Sequence, residues 1–351
     1  MARQKRQIGN TGLDVSVLGF GGAPLGNMYR PLDDDQARET LQVAWDCGFR
    51  YFDTAPRYGY GLSERRTGDF LRAQSEPYIL STKVGRLLHR IEGDIPQDRP
   101  FVDALPFVEV YDYSYDAVMR SVEDSWQRLG LRRIDIAYIH DIGSLTHGKD
   151  AHPRLMRDAM EGGARALDEL KKAGLIGAYG LGVNEWEVCL EALKSTDMDV
   201  FLLAGRYTLL EQEAQETFLP ECLRRNASVV VGGAFNSGIL VTGPKPGAKY
   251  DYEDAPQHIL DRAQKIEQIC NDHNVPLPAA AIQFPLTHPA VVSVIPGASS
   301  PRHVKQAVEW AELQIPSALW NDLRDQGLLR ADVPVPGEDL LTGGAAPGGI
   351  A

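Results

Sequence analysis

Short apolar, β-branched runs alternate with longer stretches of helical period along nearly all of this 351-residue chain, and this alternation limits the fold more than any other feature. Strands of this kind, each returning through a helix, pair in parallel, because a parallel return needs a crossover of about a dozen residues or more. The strand candidates are residues 15–21, 51–55, 78–84, 134–140, 176–183, 200–205, 228–235 and 291–297. The first helix lies behind the acidic cap Asp33-Asp34-Asp35, carries Ala37, Leu41, Ala44 and Trp45 on one face, and ends at Gly48. Further helices are expected from Ser63 and Ser114 and over 158–174, 186–195, 211–226, 257–273 and 301–312, with one more amphipathic segment at 317–328.

Eight parallel strands close most simply into an α/β fold of the (β/α)8 TIM barrel type, which removes both sheet edges. Asn10-Thr11-Gly12 between 6–8 and 13–15 reads as a hairpin plugging the N-terminal end of the barrel. Two connections exceed ordinary loop length, 85–113 and 236–256, and both are expected over the C-terminal face. Residues 1–328 are thereby assigned to one barrel domain, and 329–351, ending in a run of Gly, Ala and Pro, to a flexible C-terminal tail.

Composition supports a large core: 43% of residues are hydrophobic and 24% charged. A net charge of −12 opposes binding to nucleic acid or to an anionic membrane surface, so neither is an expected partner. The four cysteines, Cys47, Cys189, Cys222 and Cys270, are far apart and lack metal-ligand spacing, so reduced thiols and no metal site are expected. The basic N-terminus lacks a signal-peptide apolar core, and no run approaches a membrane span; a cytoplasmic location is expected.

In a parallel barrel, reactive side chains sit at the C-terminal ends of strands. Asp53, Lys83 and His140 occupy such positions, and Tyr58 follows Asp53 by five residues. A phenol with an ordinary pKa of about 10 is a poor acid and a poor base near neutrality. A neighbouring ammonium stabilises the phenolate, a carboxylate holds the ammonium in place, and an imidazole offers a donor and an acceptor to a substrate oxygen. Singly, each residue has an ordinary structural role; together at adjoining strand ends they suit interconversion of a carbonyl and an alcohol.

These residues resemble the aldo-keto reductases, nicotinamide-dependent (β/α)8 barrels, over roughly residues 6–328. The likeness is carried by Leu18-Gly19-Phe20-Gly21-Gly22, by Asp53-Thr54-Ala55 with Tyr58-Gly59, by Gly61-Leu62-Ser63-Glu64 with Gly68, and then in order by Ser81-Thr82-Lys83, Ile139-His140 and Gly182-Val183-Asn184. The resemblance implies Tyr58 as the acid/base, Lys83 and Asp53 as its tuning pair, and His140 as the group orienting substrate. It implies a dinucleotide held by Gly21, Gly22, Asp53 and Asn184, by Gly232, Phe235, Ser237 and Gly238, and at its adenosine end by Gly297, Ser299, Arg302 and Gln306.

The chain departs from the family pattern at Val183, Ala204 and Gly232, where Ser, Gln and a nicotinamide-stacking aromatic are frequent; Phe235 or Tyr207 are the candidate replacements. Gly297 and His303 stand where members selective for a 2′-phosphate carry Lys or Arg. A buried phosphate needs charge-assisted partners, so NAD is the expected cofactor and NADP the alternative, with Arg302 and Lys305 within reach of it. The segment 203–210 resembles a subgroup that includes L-fucose (D-threo-aldose) 1-dehydrogenases and pyridoxal 4-dehydrogenases, which oxidise a cyclic hemiacetal to a lactone. The expected activity is therefore that of a sugar 1-dehydrogenase, with pyridoxal 4-dehydrogenase, a general aldehyde or ketone reductase, and a dinucleotide-sensing regulatory subunit as alternatives.

Overall fold

The computed structural model describes residues 3–95 and 99–336. Eight parallel strands form one sheet in chain order: β1 (Phe20–Gly21), β2 (Tyr51–Asp53), β3 (Ile79–Val84), β4 (Ile136–His140), β5 (Ala178–Val183), β6 (Val200–Ala204), β7 (Ser228–Gly232) and β8 (Val291–Val294). Parallel bridges Leu18 to Val294 and Gly21 to Gly297, with Gly19 N donating to Val294 O at 2.9 Å, join the last strand to the first. The sheet is thus a closed (β/α)8 barrel, as the alternation predicts. The first strand is shorter than expected: Asp14–Ser16 leaves the barrel to pair antiparallel with Lys5–Gln7.

That hairpin is the predicted plug. Its Ile8 and Val15 are fully buried in an inner core with Tyr51, Ile136, Tyr138, Ala178, Val200, Leu202, Val230, Val292 and Ile295. A second, larger core fills the layer between the strands and the helices. The two cores follow from the period of two: alternate residues of each strand face the axis or the helices.

The helices are α1 (Asp34–Asp46), α2 (Leu62–Leu71), α3 (Tyr115–Leu129), α4 (Ser144–Asp158), α5 (Ala164–Lys172), α6 (Trp186–Ala192), α7 (Phe218–Arg225), α8 (Ile239–Thr242), α9 (Gln257–Asp272), α10 (Leu277–Gln283), α11 (Pro301–Glu312) and α12 (Ser317–Asp325). Asp33 caps α1 by accepting from Gln36 N at 2.7 Å, and Ser114 caps α3, a type of contact that contributes about 1 kcal/mol.

Several segments differ from the sequence reading. The pattern at 158–174 continues backwards through a wide turn at Ala159–Gly163 into α4, which Gly148 and Pro153 disguise in the sequence. The connection 85–113 contains an antiparallel hairpin, Arg86–Arg90 with Phe107–Tyr111, and 236–256 contains α8 and a two-residue ladder, Lys249–Tyr250 with Glu253–Asp254. The barrel also extends beyond residue 328: Leu329, Val333 and Val335 are buried, Arg330 N donates to Gln212 at 2.8 Å, and Thr287 donates to Pro334 O at 2.7 Å. The tail expected from 329 therefore packs against the barrel at least to residue 336, and its remainder lies outside the described residues.

Candidate active site

Register assembles the site. Asp53 on β2 pairs with Ser81 on β3, Lys83 two residues on pairs with Tyr138 on β4, and His140 two residues further pairs with Gly182 on β5. Steps of two keep every one of these side chains on the axial face, so they climb across four adjoining strands at one end of the barrel. Gly182 makes room for the stem of Lys83: a Cβ there would lie 3.3 Å from Lys83 Cε.

Lys83 Nζ donates to Asp53 Oδ2 at 2.7 Å and to Thr54 O at 2.9 Å, and its charge bears directly on the Tyr58 phenol. It lies 4.7 Å from the centre of the Tyr58 ring. Tyr58 sits on the turn after β2, against the loop at Ala23–Gly26, where a Cβ on Gly26 would come within 2.4 Å of the Tyr58 carbonyl carbon. The His140 ring meets Tyr58 edge-on at 6.1 Å, and Phe101, from the long connection after β3, flanks Tyr58 at 6.2 Å. The four residues expected to act together are brought together.

Burial sets the protonation states. It would lower Lys83, but Asp53 and Tyr58 outweigh it, so the ammonium's pKa stands above its ordinary value. Burial pushes Tyr58 up to about 12; the charge of Lys83 pulls the other way without prevailing. The net shift of Tyr58 is thus opposite to the lowering that its neighbour alone would produce. Burial, then the charges of Arg86, Lys83 and Arg57, hold His140 far below the usual imidazole value, so it is neutral, and its Nδ1 is buried without a partner among the described residues.

An ionic network beside His140 escapes the sequence reading. Buried Arg86 donates to Glu109 at 2.8 Å and to Asp141, while Arg57, next to Tyr58, also pairs with Glu109. His140 Nε2 lies 3.5 Å from Asp141 Oδ2. The hairpin of the first long connection is thereby tied to the ends of β2 and β4. On the opposite side, Arg206 clasps Asp251 with two bonds of 2.9 and 2.8 Å, and Tyr250 donates to Glu211, which holds the second long connection down. Its Tyr252 faces the Asn184 side chain, Arg57 and Asp141, and its charge bears on Tyr58.

The remaining predicted cofactor positions line the same face. Gly22 N donates to Asp53 O at 2.8 Å, and Gly21 and Gly297 pair to close the barrel. After β7, Asn236, Ser237 and Gly238 all have positive φ (43°, 57° and 100°), Asn236 Oδ1 is buried without a partner among the described residues, and Gly238 faces open space. Asn236 N and Gly238 N donate within the turn to Gly233 O and Phe235 O, both at 2.9 Å, so the loop offers a ligand the Asn236 Oδ1 acceptor, which suits a ribose hydroxyl of a dinucleotide, and the open space at Gly238. Phe235 packs its ring on Trp310 at 5.9 Å. Tyr207 is fully buried against Phe284 and His288, so it cannot supply a stacking platform. Ser299, at the N-terminus of α11, bonds both Arg30 and His303, with Arg302 exposed and Gln306 half-buried on the same helix.

Comparison with known proteins bears on the chain as a whole. The chain is 47% identical over 338 residues to a pyridoxal 4-dehydrogenase of Microbacterium luteolum, covering 93% of this chain and 98% of that one. It is 39% identical over 324 residues to a D-threo-aldose 1-dehydrogenase of a Pseudomonas species, covering 91% and 96%. Among solved structures, an aldo-keto reductase of Bacillus halodurans in its holo form superposes with a TM-score of 0.71 at 29% identity, covering 94% of this chain and 98% of that one. The family model described as Aldo/keto reductase family matches residues 17–326, and with the barrel and site above it the chain belongs to that family of oxidoreductases.

Proposed function

We propose that the protein oxidises a cyclic hemiacetal to a lactone, with Tyr58 as the group that moves the hydroxyl proton. The observation that carries this reading is the buried Lys83 ammonium bonded to Asp53 and 4.7 Å from the centre of the Tyr58 ring, beside a neutral His140. In the oxidative direction Tyr58, as phenolate, takes the proton from the anomeric hydroxyl as the C–H bond breaks. Lys83 stabilises that phenolate, Asp53 keeps Lys83 charged, and His140 orients the substrate oxygen. A bound nicotinamide dinucleotide supplies the hydride acceptor. Asn184, Asn236, Ser237 and Gly238 would hold it, with Ser299, Arg302 and Gln306 toward the adenosine.

Pyridoxal is placed first among substrates. The 47% likeness to a pyridoxal 4-dehydrogenase points that way, and so do the aromatic walls of Phe101, Tyr58 and Tyr252, which suit a flat pyridine ring. This reverses the order expected from sequence. The sugar reading keeps a specific support in the polar set Arg57, Arg86, Glu109 and Asp141, which suits ring hydroxyls. NAD is proposed over NADP because Gly297, which pairs with Gly21 where the barrel closes, brings no charge to a 2′-phosphate and His303 is shifted toward neutrality by burial and by Arg30 and Arg302.

The test is a substrate panel of pyridoxal, L-fucose, L-galactose and simple aldehydes, with each dinucleotide, followed by the absorbance of reduced nicotinamide and by identification of the product. Lactone formation from pyridoxal with NAD is the expected result. Higher kcat/KM with L-fucose moves the assignment to a sugar 1-dehydrogenase, and activity confined to aldehyde reduction makes the protein a general reductase. Dinucleotide binding without any turnover would make it a regulatory subunit. A kcat/KM with NADP tenfold above that with NAD would overturn the cofactor assignment.

A further inference from the structure

Beneath the catalytic residues, inside the barrel, three buried hydroxyls lead up to Asp53. Tyr138 lies 3.1 Å from Tyr51, Tyr51 lies 3.1 Å from Ser81 Oγ, and Ser81 Oγ lies 2.7 Å from Asp53 Oδ1. Tyr51, Ser81 and Tyr138 are all inaccessible to solvent. Asp53 Oδ2, the other carboxylate oxygen, receives Lys83.

The direction of each bond follows from chemistry. An ionised carboxylate only accepts, so Ser81 must donate its single proton to Asp53. Its oxygen is then left to accept from Tyr51, whose oxygen in turn accepts from Tyr138. We propose that Tyr138, Tyr51 and Ser81 form a one-way hydrogen-bond relay that positions Asp53 as a carboxylate and, through it, fixes the Lys83 ammonium under Tyr58. The three are positioning residues, because they act only through Asp53. The proposal rests on the catalytic reading of Tyr58 and Lys83 given above.

Two other roles fit less well. A proton channel needs an outlet, but Tyr51 and Tyr138 lie within the inner core among Ile136, Ala178, Val200 and Val230. A purely structural filling would be served by apolar side chains, since buried hydroxyls must be bonded to offset the cost of leaving water. Donors in series polarise one another, so three hydroxyls aimed at one oxygen hold a charge better than the last alone. The titratable groups facing Asp53 are Lys83 from β3, Tyr58 from the turn after β2, Tyr51 from its own strand and Tyr138 from β4. His140 lies one step further along β4 and faces Lys83, Arg86 and Arg57.

The experiment compares Ser81→Ala, Ser81→Thr, Tyr51→Phe and Tyr138→Phe in the full chain by urea unfolding as a function of pH. A donor that serves the carboxylate is needed only while Asp53 is ionised. The stability lost in Ser81→Ala is therefore expected to shrink about tenfold in equilibrium constant, one pKa unit, as pH falls and Asp53 becomes protonated. Tyr51→Phe should show a smaller loss with the same pH dependence, Tyr138→Phe a smaller one still, and Ser81→Thr close to none. A loss in Ser81→Ala that is constant with pH, or is shared by Ser81→Thr, would overturn the relay.

The catalytic consequence is read separately. In pyridoxal oxidation with NAD, the acid limb of kcat/KM should move up by about one pH unit in Ser81→Ala and return in Ser81→Thr, as one lost hydrogen bond to an ionised group implies. An unmoved limb would overturn the positioning role. If Tyr58→Phe kept full activity, the reading of Tyr58 would fail, while the urea series would still decide whether the relay exists.

Discussion

Lys83 Nζ and Asp53 Oδ2 are 2.7 Å apart with each side chain only 2% exposed, so this ion pair is shielded from solvent almost completely. Removing one partner from a buried pair leaves an uncompensated charge and costs about 3–5 kcal/mol, whereas removing both is far cheaper. Asp53→Asn and Lys83→Met should therefore each lower the urea midpoint strongly, while the double variant recovers part of the stability. Activity should behave differently. It should fall by roughly 100-fold or more in either single variant and stay low in the double one, because Tyr58 loses its cation or its anchor in all three. Recovery of activity along with stability would mean that the pair serves the fold alone.

Because burial pushes Tyr58 up to about 12, the phenol form dominates at neutral pH. Reduction of a carbonyl needs that protonated form and should be nearly independent of pH between about 7 and 9. Oxidation needs the phenolate, whose population rises tenfold per pH unit below the pKa, so its kcat/KM should climb with a slope near one over the same range. Steady-state rates in both directions check this. Tyr58→Phe should remove the slope and lower both rates by about 100-fold or more. A flat oxidative profile in the native enzyme would place the proton on a different group.

Residues whose meaning lies in local pattern were legible before the structure. The eight strands and the set Asp53, Tyr58, Lys83 and His140 follow from period and from position at strand ends. Contacts across irregular chain were not. Arg86 meets Asp141 across a hairpin embedded in a long connection, and Tyr252 meets Asn184 from a loop with no period at all. Helix α4 was hidden because Gly148 and Pro153 imitate a loop, although helix resumes on either side of the kink at Gly148. The Tyr51–Ser81 contact was hidden for the opposite reason: alternating residues of two strands look like ordinary barrel filling until register sets them side by side. The shift of Tyr58 was misjudged because charge is visible in a sequence and desolvation is not.

The hydroxyl of Tyr252 faces the side chain of Asn184, the residue expected to hold the nicotinamide carboxamide. A dinucleotide held through that amide would take it from the Tyr252 hydroxyl, so the two would compete for it. A neutral hydrogen bond is worth about 0.5–1.5 kcal/mol, so Tyr252→Phe should tighten NAD binding by roughly 2–10-fold. Quenching of tryptophan fluorescence by NAD measures the Kd directly. Weaker binding in this variant would show instead that the Tyr252 hydroxyl contributes to holding the cofactor.

His288 offers a measure of the barrel's acid sensitivity that is independent of the active site. It is 3% exposed, packs edge-on against Tyr207 at 5.7 Å, and accepts a hydrogen bond from Ala290 N on Nδ1 at 3.1 Å, so the fold requires its neutral form. Burial lowers its pKa from 6.5 to about 4. Between those values the unfolded chain binds a proton that the folded chain refuses, so stability falls as pH drops from 6.5 and the loss is complete near 4. At about 1.4 kcal/mol per pKa unit, the total approaches roughly 3 kcal/mol. His288→Gln keeps an acceptor without a titrating ring. Urea unfolding at pH 7 and pH 4.5 should show this variant losing roughly 2–3 kcal/mol less than the native chain over that interval. Equal losses in the two proteins would mean that His288 is protonated in the folded barrel as easily as in the unfolded chain, and that the packing around Tyr207 opens to admit the charge.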